Sequence, residues 1–391
     1  MQLPPLVDAK SELNNTEIAR YSRHLLIPEV GLTGQQRLKS SKVLVVGAGG
    51  LGSPTLMYLA AAGIGTIGIL EFDIVEESNL QRQIIHGVSD IGKPKASSAA
   101  ESIHEINPYI SVIIHPERLE NHNALEIIKD YDLVIDGTDN FATRYLVNDA
   151  CVLSGKPYVW GSIFRFEGQA SVFWEQAPNN QGINYRDLYP APPPPEHAPS
   201  CSEGGIFGVL CASIASIMAT EAIKLITGVG NSLLRRLVVY DALEMNYQFI
   251  NLQPAPNRKP ITELTDYATF CGLNRPSSSR EETHVPSISV NELKLLRDQG
   301  TDLTLIDVRE SSERNIASID GAIHIPKGQI LSGQIPSSLS KDKPIVVHCK
   351  MGGRSRDALL KMQEQGFTNI KNLDGGILAW INEIEPSLPR Y

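Results

Sequence analysis

The chain has 391 residues, 42% hydrophobic and 20% charged, an ordinary globular composition with length for two or three domains. A net charge of −9 argues against nucleic acid as a general partner. Five widely spaced cysteines with no Cys-x-x-Cys argue against a disulfide framework and for a reducing compartment.

Met1 to Lys10 has neither the basic start nor the apolar core of a signal peptide. The longest uncharged run, Gly204 to Thr220, is followed by Glu221 and Lys224 and falls short of a membrane span. A soluble, cytoplasmic protein with no membrane partner is expected. Residues 11–26 have the pattern of one short amphipathic helix carrying Arg20, Arg23 and His24.

Lys42 to Asp73 is the most informative stretch. An apolar run, Val43 to Val46, predicts a buried parallel strand. Gly47, Gly49, Gly50 and Gly52 follow, then Ser53-Pro54 at a helix start, and a second strand, Thr66 to Leu70, ending at Glu71. Glycines allow a polyphosphate close to the backbone, the helix N-terminus offers it unpaired N–H groups, and the terminal acid suits ribose hydroxyls. A helix from Pro94-Lys95 and a strand, Tyr131 to Ile135, come next. Asn79, Arg82, Lys95 and Asp139 then fall at or after strand ends, where ligands of a doubly wound sheet collect. Two cations and an acid suit a triphosphate with Mg²⁺ better than a dinucleotide.

Gly47-Ala-Gly-Gly-Leu-Gly52, Ser78-Asn-Leu-Gln-Arg82-Gln, Gly92-Lys-Pro-Lys95 and Asp136-Gly-Thr-Asp139-Asn140 resemble the ubiquitin-activating-enzyme superfamily. The branch they are most similar to is the adenylyltransferases that activate molybdopterin-synthase and thiamine sulfur carriers. The resemblance spans residues 11 to about 272 and implies a Rossmann-like α/β fold with a mixed sheet. It implies adenylation of the C-terminal Gly-Gly carboxylate of a ubiquitin-like sulfur carrier. Gly50 would approach the phosphates, Glu71 the ribose, and Ser78, Asn79, Arg82, Lys95 and Asn140 the rest of ATP, with Asp139 holding Mg²⁺. Arg23 matches an arginine that reaches the partner subunit's site, which implies a homodimer. Relatives carry two Cys-x-x-Cys pairs for structural zinc, but Asn184, Asp187, Ala268 and Cys271 stand there, so no zinc is expected.

Prolines from 190 to 199 predict an extended loop ending at Cys201 before an apolar helix, Ile206 to Ile226. Cys201 admits two readings: a catalytic thiol on a mobile loop, as in the family, or a small residue at a helix start. Cys151 and Cys211 lie in apolar helical patterns and are expected in the core. Residues 273–286, with three consecutive serines, read as a linker between a domain over 1–272 and a second over 287–391.

In that second domain, a helix (Val290 to Gln299) and a strand, Thr304 to Val308, precede a short strand, Ala322 to Pro326. The strand Ile345 to Cys349 then leads into Lys350-Met351-Gly352-Gly353-Arg354-Ser355 and a helix, Arg356 to Gln365. A cysteine between a strand end and a helix start is met by converging N–H groups that stabilise a thiolate. The Cys-x₄-Arg spacing is shorter than that of cysteine phosphatases and suits one bound sulfur. These segments, with Leu305 to Glu310, Asp320 to Pro326 and Asp374 to Trp380, resemble a single rhodanese domain, a smaller α/β fold. The resemblance implies a persulfide on Cys349, its sulfur coming from thiosulfate or a cysteine desulfurase. Together the halves imply adenylation, then sulfur transfer giving the carrier thiocarboxylate. A conjugating enzyme using a Cys201 thioester is the alternative. A nicotinamide oxidoreductase would leave Arg82, Lys95 and Asp139 without purpose, and a scaffold would need degraded sites.

Overall fold

The apolar run after Lys42 forms β1 (Lys42–Val46), and its side chains are divided between two cores. Val43 and Val45 pack with Leu56, Leu59 and Ile67 on one face, and Leu44 and Val46 with Tyr145, Val147 and Tyr158 on the other. A strand buried on both faces needs apolar residues at every position, which is why the sequence shows a run rather than an alternation. The structure is a computed structural model and describes residues 2–193, 205–272 and 285–391. The stretch with Cys201, and residues 273–284 of the expected linker, lie outside the described residues. The chain divides into two compact units, Met1–Pro276 and Ser277–Tyr391.

The first unit is built on an eight-stranded mixed sheet in the order β3-β2-β1-β4-β5-β6-β7-β8. β2 (Thr66–Leu70), β3 (Ser111–His115), β4 (Leu133–Asp136) and β5 (Tyr158–Phe164) extend β1 in parallel. β6 (Glu167–Phe173), β7 (Arg236–Asp241) and β8 (Asn246–Asn251) continue it antiparallel. Helices Gly52–Ala62, Lys95–Ile106 and Gly208–Thr227 contribute to one core, and helices Ala124–Lys129 and Phe141–Ser154 to the other.

Two local expectations change. Residues 11–26 form two short helices, Asn15–Arg20 and Ser22–Leu25, rather than one. The break is at Tyr21, whose buried ring lies against Gly63 and whose hydroxyl accepts from Asn107 Nδ2 at 2.7 Å. Tertiary burial of that one ring overrides the helical pattern. The apolar helix runs from Gly208 to Thr227, further than the uncharged run, and by length and composition is enough to cross a membrane. It packs instead on β5, β6 and helix Gly52–Ala62, and its Glu221 and Lys224 pair with each other.

The second unit is a five-stranded parallel sheet, β11-β10-β12-β13-β9. Its strands are β9 (Ser287–Ile288), β10 (Thr304–Asp307), β11 (Ile323–His324), β12 (Ile345–His348) and β13 (Ile370–Leu373). Val346 and Leu373 face Ile377 and Trp380 on one side, while Ile345 and Val347 face Leu359 and Met362 on the other.

Candidate active site

The carboxyl ends of β1, β2 and β4 open into one cleft in the first unit. Gly47, Gly49 and Gly50 line it, with Glu71, Arg82, Lys95, Asp139 and Asn140. Gly52 lies under the loop, where a Cβ would stand 1.8 Å from the Gly47 carbonyl oxygen. Gly50 has a packing reason as well, since a Cβ there would meet Cys211 Sγ at 2.9 Å. Cys151 and Cys211 are both buried.

Glu71 Oε2 accepts from Ala48 N at 2.9 Å, and Oε1 accepts from Phe72 N and Asp73 N at 2.8 and 2.9 Å. The acid thus binds the glycine loop to the end of β2 as well as lining the cleft. Lys95, buried at the start of its helix, pairs with Asp73 at 3.3 Å. Arg82 donates to Ser78 O at 3.0 Å. Asp139 is exposed at the cleft. Asp136 is fully buried, where burial raises its pKa, although Thr138 N and Oγ1 donate to Oδ1 at 3.0 and 2.6 Å.

Besides Gly52, three expected residues stand outside this lining. Ser78 is exposed, and Asn79 is buried, its Oδ1 accepting from Glu76 N at 3.1 Å. Arg23 is exposed on helix Ser22–Leu25. Arg118, Phe72 and Arg144 line the cleft without having been singled out. The Arg118 guanidinium lies 4.7 Å over the Phe72 ring, offering a flat cationic and aromatic wall. The position of Arg118 just after β3 was the available signal.

Of the four positions that the resemblance aligned with zinc ligands, three are engaged otherwise. Asn184 caps the short helix Tyr185–Leu188. Asp187 pairs with Arg258, which also holds Glu175 at 2.6 Å. Cys271 is buried, which raises its thiol pKa. Among the described residues no group of His, Cys, Asp and Glu is arranged to hold a metal ion.

In the second unit β12 delivers Cys349 into a tight loop before helix Gly353–Glu364. Gly352 N donates to Cys349 Sγ at 3.1 Å and Ser355 Oγ at 3.4 Å. Gly352 holds φ +105°, a conformation a side chain would strain. So one backbone N–H and one hydroxyl reach the sulfur at a helix N-terminus. Cys349 is 2% exposed, Met351 71%. Arg354 forms a bidentate pair with Glu313, at 2.6 and 2.7 Å.

Beneath the loop, His348 is fully buried between Cys349 and the Asp307–Arg309 pair. Burial, opposed by Asp307, takes its imidazole from the usual 6.5 down to about 4. Between those values the unfolded chain takes up a proton that the folded one refuses, so acidification favours unfolding. We expect the second unit to lose about 2 kcal/mol of stability from pH 7 to pH 5. Amide exchange of residues 345–373, corrected for intrinsic rate, should show it as faster opening; a flat profile would remove His348 as the cause.

A ThiF family model matches residues 21–261, and a rhodanese-like domain model matches 289–383. A Mycobacterium tuberculosis protein named "Probable adenylyltransferase/sulfurtransferase MoeZ" is 57% identical over 389 residues, covering 100% of this chain and 99% of its own. "Adenylyltransferase and sulfurtransferase MOCS3" of Drosophila grimshawi is 40% identical, covering 97% and 87%; the Mus musculus protein of that name is 37% identical, covering 99% and 90%. Among solved structures, Escherichia coli MccB with MccA-N7isoASN superimposes with a TM-score of 0.54 at 23% identity, over 62% of this chain and 74% of that one, a likeness of fold. The chain therefore belongs to the ThiF family, with a rhodanese-like domain after it, and is an adenylyltransferase and sulfurtransferase.

Proposed function

We propose that the chain adenylates the C-terminal glycine of a ubiquitin-like sulfur-carrier protein and then replaces the activated oxygen with sulfur from a Cys349 persulfide. The observation that carries this reading is the convergence of Lys95, Arg82 and Asp139 beside the glycine loop, in a chain that also holds Cys349 in a donor-lined loop. In the first step the carrier carboxylate attacks the α-phosphate of ATP and pyrophosphate leaves. Lys95 and Arg82 neutralise phosphate charge, and the glycine loop positions it. Mg²⁺ fits the cleft: its two exposed carboxylates, Asp139 and the Lys95-paired Asp73, suit an ion that arrives on the triphosphate and spreads its charge.

In the second step the persulfide attacks the acyl carbonyl and AMP leaves, giving an acyl disulfide with Cys349. Cys201 then attacks the Cys349 sulfur, so that the carrier thiocarboxylate leaves and a Cys201–Cys349 disulfide remains, to be reduced by a thiol. Arg23, exposed and outside the lining of its own cleft, is available to a second copy, and a homodimer is part of the reading. Thiosulfate or a cysteine desulfurase supplies the sulfur. We also infer that the Glu175–Arg258–Asp187 pairs brace the corner around helix Tyr185–Leu188.

The test is intact mass of a Gly-Gly-ending carrier after incubation with ATP, Mg²⁺, thiosulfate and reductant. A gain equal to one oxygen exchanged for sulfur is expected. Carrier that stays unchanged and draws no pyrophosphate exchange from the protein would sink the reading. Lys95→Ala should slow pyrophosphate exchange about a hundredfold; an unchanged rate would remove Lys95 from the phosphate site.

A further inference from the structure

Both cations of the sulfur loop are held by groups far away in sequence. Arg354 is clasped by Glu313 of helix Ser311–Ile316, at 2.6 and 2.7 Å. The Lys350 ammonium sits 4.9 Å over the ring of Tyr391. The Tyr391 hydroxyl joins the two restraints: it donates to Glu313 Oε1 at 3.4 Å and accepts from the fully buried Arg309. Glu313 Oε2 also accepts from Glu310 N at 3.0 Å, so the carboxylate is fixed from its own helix too. Burial opposes its ionisation, but the bonds from Arg354 and Glu310 N overcome this and hold its pKa below the usual carboxylate value. A fixed negative charge therefore stands beside a loop that otherwise offers an anion a helix N-terminus and two cations.

We propose that Glu313 is a specificity-determining residue of the sulfur-transfer half-reaction. By holding Arg354, and with Tyr391 covering Lys350, it weakens the loop's grip on small dianionic sulfane donors such as thiosulfate. The proposal rests on the reading that Cys349 carries the sulfur. With thiosulfate, the Cys349 thiolate forms a bond to the sulfane sulfur as the sulfur–sulfur bond of the donor breaks, and sulfite leaves with the electron pair. Cyanide then takes the terminal sulfur as thiocyanate and restores the thiolate.

The full-length protein and its Glu313→Gln variant are compared in thiosulfate–cyanide turnover. Glutamine keeps an acceptor for Arg354 and removes the charge. The KM for thiosulfate should fall about tenfold while kcat changes by less than about twofold, and the gap should narrow with added salt. Tyr391→Leu, which uncovers Lys350, should lower KM as well, and Tyr391→Phe should restore most of it. An unchanged or raised KM in Glu313→Gln, or a fall that salt leaves untouched, would overturn the proposal. Wild-type turnover no faster than that of Cys349→Ala would instead remove the sulfur-carrying reading, and the proposal with it.

Discussion

Cys349→Ala is expected to abolish thiocarboxylate formation, by about a thousandfold or more, while carrier-dependent pyrophosphate exchange continues at the wild-type rate. The asymmetry follows from where the two sets of groups lie. Cys349 sits in the second unit at the end of β12, with Gly352 N and Ser355 Oγ aimed at its sulfur. The glycine loop, Lys95 and Asp139 belong to the first. Deleting the sulfur removes the nucleophile of the second step and touches no group of the first. The measurement is a pair of assays on one preparation: radioactive pyrophosphate exchange, and intact mass of the carrier. Accumulated acyl-adenylate is the expected product. Thiocarboxylate made at the normal rate by the alanine variant would show that another thiol carries the sulfur. Loss of both activities would show that the halves act on each other before the sulfur step.

Gly52→Ala is expected to be among the most damaging single methyls in the first unit, matched in closeness by one at Gly65. The added carbon would stand 1.8 Å from the Gly47 carbonyl oxygen and 2.8 Å from its carbon. Neither side can yield: Gly47 follows β1, paired on one edge with β2 and on the other with β4, and helix Gly52–Ala62 is packed into the core. We expect a loss of more than about 4 kcal/mol, seen as insoluble protein or a collapsed melting transition of the first unit. Gly328→Ala provides the contrast, since nothing lies within 4 Å of a Cβ there. That change should be neutral or stabilise by up to about 1 kcal/mol. Equal behaviour of the two would contradict the close approach on which the glycine loop is built.

The sheet and the glycine loop were legible because their signals are local. A run of apolar residues into glycines, then an acid at the next strand's end, has few other solutions, and β1, the helix at Gly52 and β2 appear where that pattern places them. Lys95 and Asp139 were placed the same way, as residues after strand ends of a doubly wound sheet, and both line the cleft. What the sequence withheld depends on contacts between remote segments. Glu313 meets Arg354 across 41 positions and Arg309 meets Tyr391 across 82, and nothing in either short stretch announces its partner. Arg118 reaches Phe72 because β3 lies beside β2. Tyr21 ended an otherwise good helical pattern because Asn107 and Gly63 form its pocket.

Helix Gly208–Thr227 has a consequence for how the chain is made. It is apolar enough to attract membrane-insertion machinery, yet it packs on β4, β5, β6 and two earlier helices, all synthesised before it. Its seat is therefore largely translated by the time it leaves the ribosome, with β7 and β8 still to come. Moving this segment ahead of β5 by circular permutation would reverse that order, leaving the greasy helix to wait, unshielded, for its own docking face.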